Sequence, residues 1–149
     1  MEQEDYEIET AASREAVWQV LEDAKNWNRW NTYIEYAHLN GSLANGTNGS
    51  FKAATQKPGR GKSFFLYFKI KNCIPYRSFT ISIKLFLCTL DIAYTLVEDH
   101  DHTTIQCRIK VYGPLSWHYQ KRYGAFIKSS TDASLAKLKS AVEALKIPR

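Results

Sequence analysis

The sequence holds no block of five or six like charges, no closely paired cysteines, and no apolar run near the ~18 residues that cross a membrane. Each absence removes a class of function. Lys and Arg are scattered from Arg14 to Arg149, and the densest basic stretch, "QKPGRGK" at 56–62, is rich in Gly and Pro and reads as a loop between strands. The net charge is +5, but affinity for phosphates usually comes from a concentrated basic footprint. No nucleic-acid partner is therefore expected; scattered basic charge can simply keep a protein soluble. Cys73, Cys88 and Cys107 are far apart and each sits in an apolar, strand-like run, which suits buried reduced thiols rather than a disulfide framework or a zinc site. The first ten residues, "MEQEDYEIET", are acidic where a signal peptide is basic and then apolar. The expectation is a cytoplasmic protein without integral membrane association.

Catalytic signatures are scarce too. No Gly-x-Ser-x-Gly elbow occurs, and no Cys–His pairing can be placed from spacing. "GRGKS" at 59–63 ends like a phosphate-binding loop, but Gln56 stands where the pattern needs glycine and a strand-like run follows where it needs a helix. "HDH" at His100 to His102 lies between two strand patterns with no third ligand in evident reach, so a hairpin turn is expected and no metal. His38 and His118 are isolated. Asp91 and Glu35 are strand carboxylates, and alternation turns Asp91 outward. The three Asn-Gly-Ser/Thr sequences within "NGSLANGTNGS" read as turn chemistry, since Asn and Gly supply positive φ.

What is present is a folded chain of one domain's size, residues 1–149, with 44% apolar and 13% aromatic residues. Tyr6, Ile8 and Thr10 alternate with acidic neighbours, predicting a first strand. Ser13 then offers an N-cap to a helix carrying Val17, Val20, Leu21 and Ala24 at helical spacing. A second helical turn places Trp27 and Trp30 on one face, and the chain becomes extended from Tyr33 to Leu39. Strand patterns follow over 51–55, 63–71, 79–85, 88–97 and 103–111. In the last two, apolar residues such as Leu90, Ile92 and Tyr94, or Ile105, Cys107 and Ile109, alternate with polar ones. One covered face of an antiparallel sheet produces that pattern.

Residues 115–146 predict a helix about 50 Å long, with Tyr119, Tyr123, Ile127, Leu135, Leu138, Val142 and Leu145 near one face and Pro148 just beyond it. A single curved sheet must wrap around such a helix. Its middle, "KSSTDAS" at 128–134, is poor in apolar groups. A bend, or a space between helix and sheet, is expected there.

Four segments in this order, "IETAASREAVWQVLEDAKNWNRW", "LNGSLANGTNGSFK", "HTTIQCRIKVYGPL" and "ASLAKLKSAVEAL", resemble the START-related helix-grip (SRPBCC) superfamily, in particular its polyketide cyclase/dehydrase-like branch. The likeness runs from Glu7 to Glu143. It implies an α+β helix-grip fold: a curved antiparallel sheet of about seven strands wrapped around a long C-terminal helix, with two short helices after the first strand. It also implies an apolar cavity for lipids, sterols, polyketides or plant hormones, with no cofactor.

"NWNRWNTY" at 26–33 holds two of the four tryptophans. On residue type alone such a cluster suits base stacking, a membrane surface or the wall of a pocket. The resemblance places Trp30 and Tyr33 where short helices plug one end of the basket. The candidate ligand-binding residues are then Trp30, Phe68, Ile81, Ile83, Ile92, Tyr94, Cys107, Tyr123 and Ile127. Tyr94 draws attention because a phenol in an apolar wall must find a hydrogen-bond partner. The expected activity is binding of a small hydrophobic or amphipathic ligand by a monomer or homodimer. The alternative is a cyclase or dehydratase working in the same cavity.

Overall fold

The computed structural model describes residues 2–32, 34–53 and 65–145. Seven strands form one antiparallel sheet: β1 (Glu2–Thr10), β2 (Ile34–Leu39), β3 (Asn48–Ala53), β4 (Phe65–Ile74), β5 (Ser78–Leu85), β6 (Cys88–Asp99) and β7 (His102–Tyr112). Their spatial order is β1-β7-β6-β5-β4-β3-β2, so β1 and β2 are the two edges. Helix α1 (Arg14–Glu22) and a 3-10 helix (Ala24–Arg29) follow β1, and the long helix α2 (Ser116–Glu143) follows β7. The expected element order is the one found. Tyr33 and the "QKPGRGK" and "GRGKS" stretches lie outside the described residues.

Local chemistry accounts for these elements. The Ser13 side chain accepts a hydrogen bond from the Ala16 N–H at 3.2 Å and starts α1 as an N-cap. Gly41 and Gly46 adopt positive φ in the β2–β3 connection. Beside them, Asn45 accepts from the Cys73 N–H at 2.6 Å and its amide donates to the Cys73 carbonyl at 3.2 Å, tying this loop to β4. His100 and Asp101 make the β6–β7 turn, as the hairpin reading requires. Asp91 lies on the sheet face opposite the core, where it accepts from the Ser82 and Tyr112 hydroxyls at 2.6 and 3.2 Å. Glu35 pairs with Lys52 at 3.5 Å. All three cysteines are free and buried.

Register assembles the inward face of the sheet in rows. Tyr6, Cys107, Tyr94 and Phe79 are cross-strand neighbours on β1, β7, β6 and β5. The next row is Ile109, Ile92, Ile81 and Ile70, and the one after it Val111, Leu90, Ile83 and Phe68. Bulky β-branched and aromatic residues side by side on one pleat are what sheet pairing favours. Gly49 on β3 sits opposite Phe68, whose ring covers it; a Cβ there would run into that ring and lie 2.6 Å from the His38 carbonyl.

The sheet is covered by two different layers. Over β3–β6, the short helices supply aromatic rings: Trp27 lies 5.8 Å from Phe68, Trp18 is edge-on to Phe79 at 5.7 Å, and Trp30 is edge-on to Tyr94 at 6.0 Å. Over β1 and β7 lies α2, which also touches α1. It packs unevenly. From Ser130 onward α2 buries Ser130, Thr131, Ser134, Leu135, Leu138 and Val142, whereas its first half buries only Ser116.

The expectation of a space at "KSSTDAS" is therefore corrected. Ser130, Thr131 and Ser134 of that segment are buried. Thr32 donates its N–H to the Ser134 hydroxyl at 2.9 Å and its own hydroxyl to the Ser130 carbonyl at 3.0 Å, and Thr131 bonds the Ile127 carbonyl at 2.7 Å. Small hydroxyl side chains let the backbones approach, and the Thr131 and Ser134 hydroxyls are hydrogen-bonded, so the absence of apolar residues marks a tight seam.

Candidate functional site

The loose part of the molecule is the first half of α2. Its N-cap position is Leu115, which offers no side-chain hydrogen bond, and its first turn carries no acidic residue; neither of the usual devices that secure a helix start is present. The helix face turned toward the sheet there is made of Gln120, Gly124 and Ile127. Across from it stand Glu4 and Tyr6 of β1 and Ile109 and Val111 of β7. Gly124 presents no side chain and Gln120 folds beside it, so little fills the gap between helix and sheet. The resulting cleft is small: about 10 Å³ is open to the centre of a water molecule, room for roughly one water.

One corner of the cleft is polar. The Tyr6 hydroxyl donates to the Glu4 carboxylate at 2.8 Å. Partial burial, and then the bond to Glu4, push the Tyr6 phenol well above its ordinary pKa, so it stays protonated as a donor. Gln120 adds an amide from the helix, and Ile109, Val111 and Ile127 make the apolar remainder.

The sequence-based candidates fall into three groups. Phe68, Ile81, Ile83, Ile92, Tyr94 and Cys107 share the inward face of the sheet, and Trp30 packs edge-on against Tyr94. Ile127 reaches the cleft from α2. Tyr123 lies apart from both: it is 38% exposed, stacks on Tyr119 and carries the Arg122 guanidinium over its ring at 5.6 Å. One helical residue is a rotation of about 100°, and that step separates Tyr123 from the inward-facing Gly124.

Two polar groups in the aromatic region behave differently from each other. The Tyr94 phenol stands beside the Cys107 thiol, its cross-strand neighbour on β7. Burial is the main reason that thiol is pushed up to about 12, with the Tyr94 bond acting against the rise. Trp30 has no such resolution. Its indole Nε1, on a residue only 2% exposed, has no hydrogen-bond partner among the described residues, while the equally buried Trp27 donates to the Leu21 carbonyl at 2.7 Å.

Sequence reasoning passed over Glu4, Tyr6, Gln120 and Gly124 as site residues. The strand residues carried a signal, since period-two alternation sets Glu4 on the face of Tyr6 and Ile8. The helix residues carried none. A polar side chain and a glycine are not what an apolar-periodicity search selects.

No family model matches the chain, and no curated protein does. Solved structures do. The Zhui aromatase/cyclase from Streptomyces sp. R1128 superposes with a TM-score of 0.77 at 11% identity, over 95% of this chain and 93% of that one. The fold is a helix grip. A START superfamily protein from Mycobacterium smegmatis matches this helix grip with a TM-score of 0.69 at 18% identity, over 97% and 99% of the two chains. Norcoclaurine synthase from Thalictrum flavum, in complex with dopamine and hydroxybenzaldehyde, matches with a TM-score of 0.72 at 16% identity, over 99% and 89%. Identities this low carry the helix grip across and nothing finer. Among the described residues no helix is long and apolar enough to cross a membrane.

Proposed function

We propose that this helix grip binds a small hydrophobic or amphipathic molecule between the first half of α2 and the inward face of the sheet. The observation that carries the reading is the unpacked helix face Gln120–Gly124–Ile127 standing over an apolar wall. At its present width the cleft takes about a water, so uptake requires the first half of α2 to swing outward while the seam at Thr32, Ser130 and Ser134 holds the second half. A missing N-cap and shallow burial make that half the less costly one to move. Burial of apolar surface, at about 25 cal/mol per Å² before ordering costs, drives binding. Tyr6 and Gln120 meet the polar end of the guest. Fatty acids, sterols and aromatic polyketides are the classes to test.

Gly124→Leu is the variant that discriminates. It fills the gap with apolar bulk, and leucine in place of a mid-helix glycine raises helix propensity by roughly 0.5–1 kcal/mol. The expected result is a small molecule that co-purifies with the wild type in native mass spectrometry and is absent from a Gly124→Leu protein of equal or higher thermal stability. No co-purifying molecule, together with no heat of binding for all three classes, counts against the reading.

One observation favours a catalytic version of the same site. The Glu4–Tyr6 pair places a carboxylate and a phenol on one wall of the cleft at hydrogen-bond distance, the arrangement needed to move a proton to or from a carbonyl compound held there. A cyclase or dehydratase of this kind would lose far more turnover than ligand affinity in Tyr6→Phe.

A further inference from the structure

The turn between β5 and β6 consists of two residues, Phe86 and Leu87. Two-residue hairpin turns favour Asn and Gly, because their backbone must enter positive φ. Here Leu87 takes that conformation, with φ of 55°, and both side chains stand in solvent, Phe86 at 73% and Leu87 at 53% exposed. The choice of residues costs conformational energy and wets two large apolar groups. Backbone strain together with exposed apolar surface marks a candidate contact outside the molecule.

A third apolar group belongs to the same end of the molecule. The Leu87 carbonyl accepts from the Leu115 N–H at 3.0 Å, and Gly113 approaches Leu87 and Cys88 so closely that a Cβ would fall 2.9 Å from the Cys88 Cα. The turn is thereby braced against the segment leading into α2, two residues before Trp117. Trp117 is 64% exposed, whereas Trp18, Trp27 and Trp30 are buried.

Charge decides what this tip meets. Lys84 precedes the turn by two residues, and Lys121 and Arg122 follow Trp117 by about one helical turn; all three are exposed. Along the chain no carboxylate occurs from Tyr36 to Leu90, nor from His102 to Thr131; the acidic neighbours in space are β1, paired with β7, and Asp91, which is held by the Ser82 and Tyr112 hydroxyls. Two copies of the chain meeting tip to tip would set like charges against one another, whereas an anionic surface would find complementary charge around an apolar centre.

We propose that Phe86, Leu87 and Trp117, ringed by Lys84, Lys121 and Arg122, seat the protein on an anionic lipid surface. The aromatic and leucine side chains enter the headgroup region, where amphipathic rings are favoured, and the basic residues hold the negative surface. Weak apolar insertion and a basic patch are each marginal alone and sufficient together. The proposal stands independently of the cleft, since it concerns the outside of the protein and needs no guest molecule.

The test is flotation of the full chain with phosphatidylcholine vesicles, with and without phosphatidylserine, together with quenching of tryptophan by brominated phospholipid. Expected are binding to the phosphatidylserine vesicles only, loss of it in high salt, and quenching that disappears in Trp117→Phe because the other three indoles are buried. Phe86→Ser/Leu87→Asn should weaken partitioning more than about tenfold, and Lys84→Gln or Lys121→Gln about fivefold each. Asn tolerates positive φ better than Leu, so the double variant keeps or gains thermal stability and its loss of binding is not loss of fold. Wild-type protein that leaves phosphatidylserine vesicles unbound, or a double variant that binds them equally well, overturns the proposal. A concentration-dependent dimer that the double variant dissolves assigns the tip to a second copy and overturns it as well.

Discussion

Trp27 and Trp30 form a matched pair in which one hydrogen bond is the main difference. Their exposures are 1% and 2%, and substitution by Phe removes the same atoms from each. Losing part of a buried ring system costs about 1–2 kcal/mol at either place. At position 27 the change also strips the Leu21 carbonyl, at the end of α1, of the indole N–H that satisfies it at 2.7 Å, and an acceptor left bare in a core costs a further ~1–3 kcal/mol. At position 30 the deleted N–H has no partner, so its desolvation penalty, about 1–3 kcal/mol, is relieved and offsets the packing loss. Trp27→Phe should thus destabilise by about 2–5 kcal/mol and Trp30→Phe by less than about 1 kcal/mol. Urea unfolding followed by far-ultraviolet circular dichroism measures both without relying on the altered fluorescence. Equal losses would refute the reasoning, because they would mean that the Trp30 N–H already holds an acceptor such as an enclosed water.

Gly49→Ala should destabilise by about 2–3 kcal/mol, because the new methyl meets the Phe68 ring and the His38 carbonyl; a thermal melt reads it. Ser134→Ala leaves the Thr32 N–H without its acceptor and should cost about 1–2 kcal/mol in urea unfolding, more than Ser140→Ala on the exposed side of the same helix. Cys107 gives a pH dependence. Its folded pKa is raised by burial, so the stability it contributes is complete below the ordinary thiol value and is lost as pH rises from about 9 to about 12. The denaturation midpoint of the wild type should fall across that window more steeply than that of Cys107→Ala.

The strands were legible because each states its own burial. Ile105, Cys107, Ile109 and Val111 alternate against polar partners, and register then fixes their neighbours. Ser13 announced α1 in the same local way. What was not legible depends on residues distant in sequence. The burial of Ser130 and Ser134 is set by Thr32, about a hundred residues earlier, so "KSSTDAS" looked like a gap and is a seam. Tyr94 stood out as a phenol in an apolar wall, and the sheet sets it beside Cys107 and stacks it on Phe79. Apolar spacing put Tyr119 and Tyr123 on the inward face of α2. The helix instead turns Gln120 and Gly124 inward, and an amide and a missing side chain leave no apolar trace to follow. Six of the nine candidates lie on the sheet's inward face because strand alternation is nearly independent of context, whereas helix rotation is decided by what the other end of the helix grips.

The edge position of β1 carries a consequence for how the protein behaves at high concentration. An outermost strand with free backbone groups is a template on which another molecule can add itself and begin an ordered aggregate. Glu2, Glu4, Asp5, Glu7 and Glu9 put five carboxylates into its nine residues, so an arriving copy of β1 is repelled before its amides can pair. The same charges make the safeguard conditional: in acid strong enough to protonate them, this strand becomes the place where fibrils start.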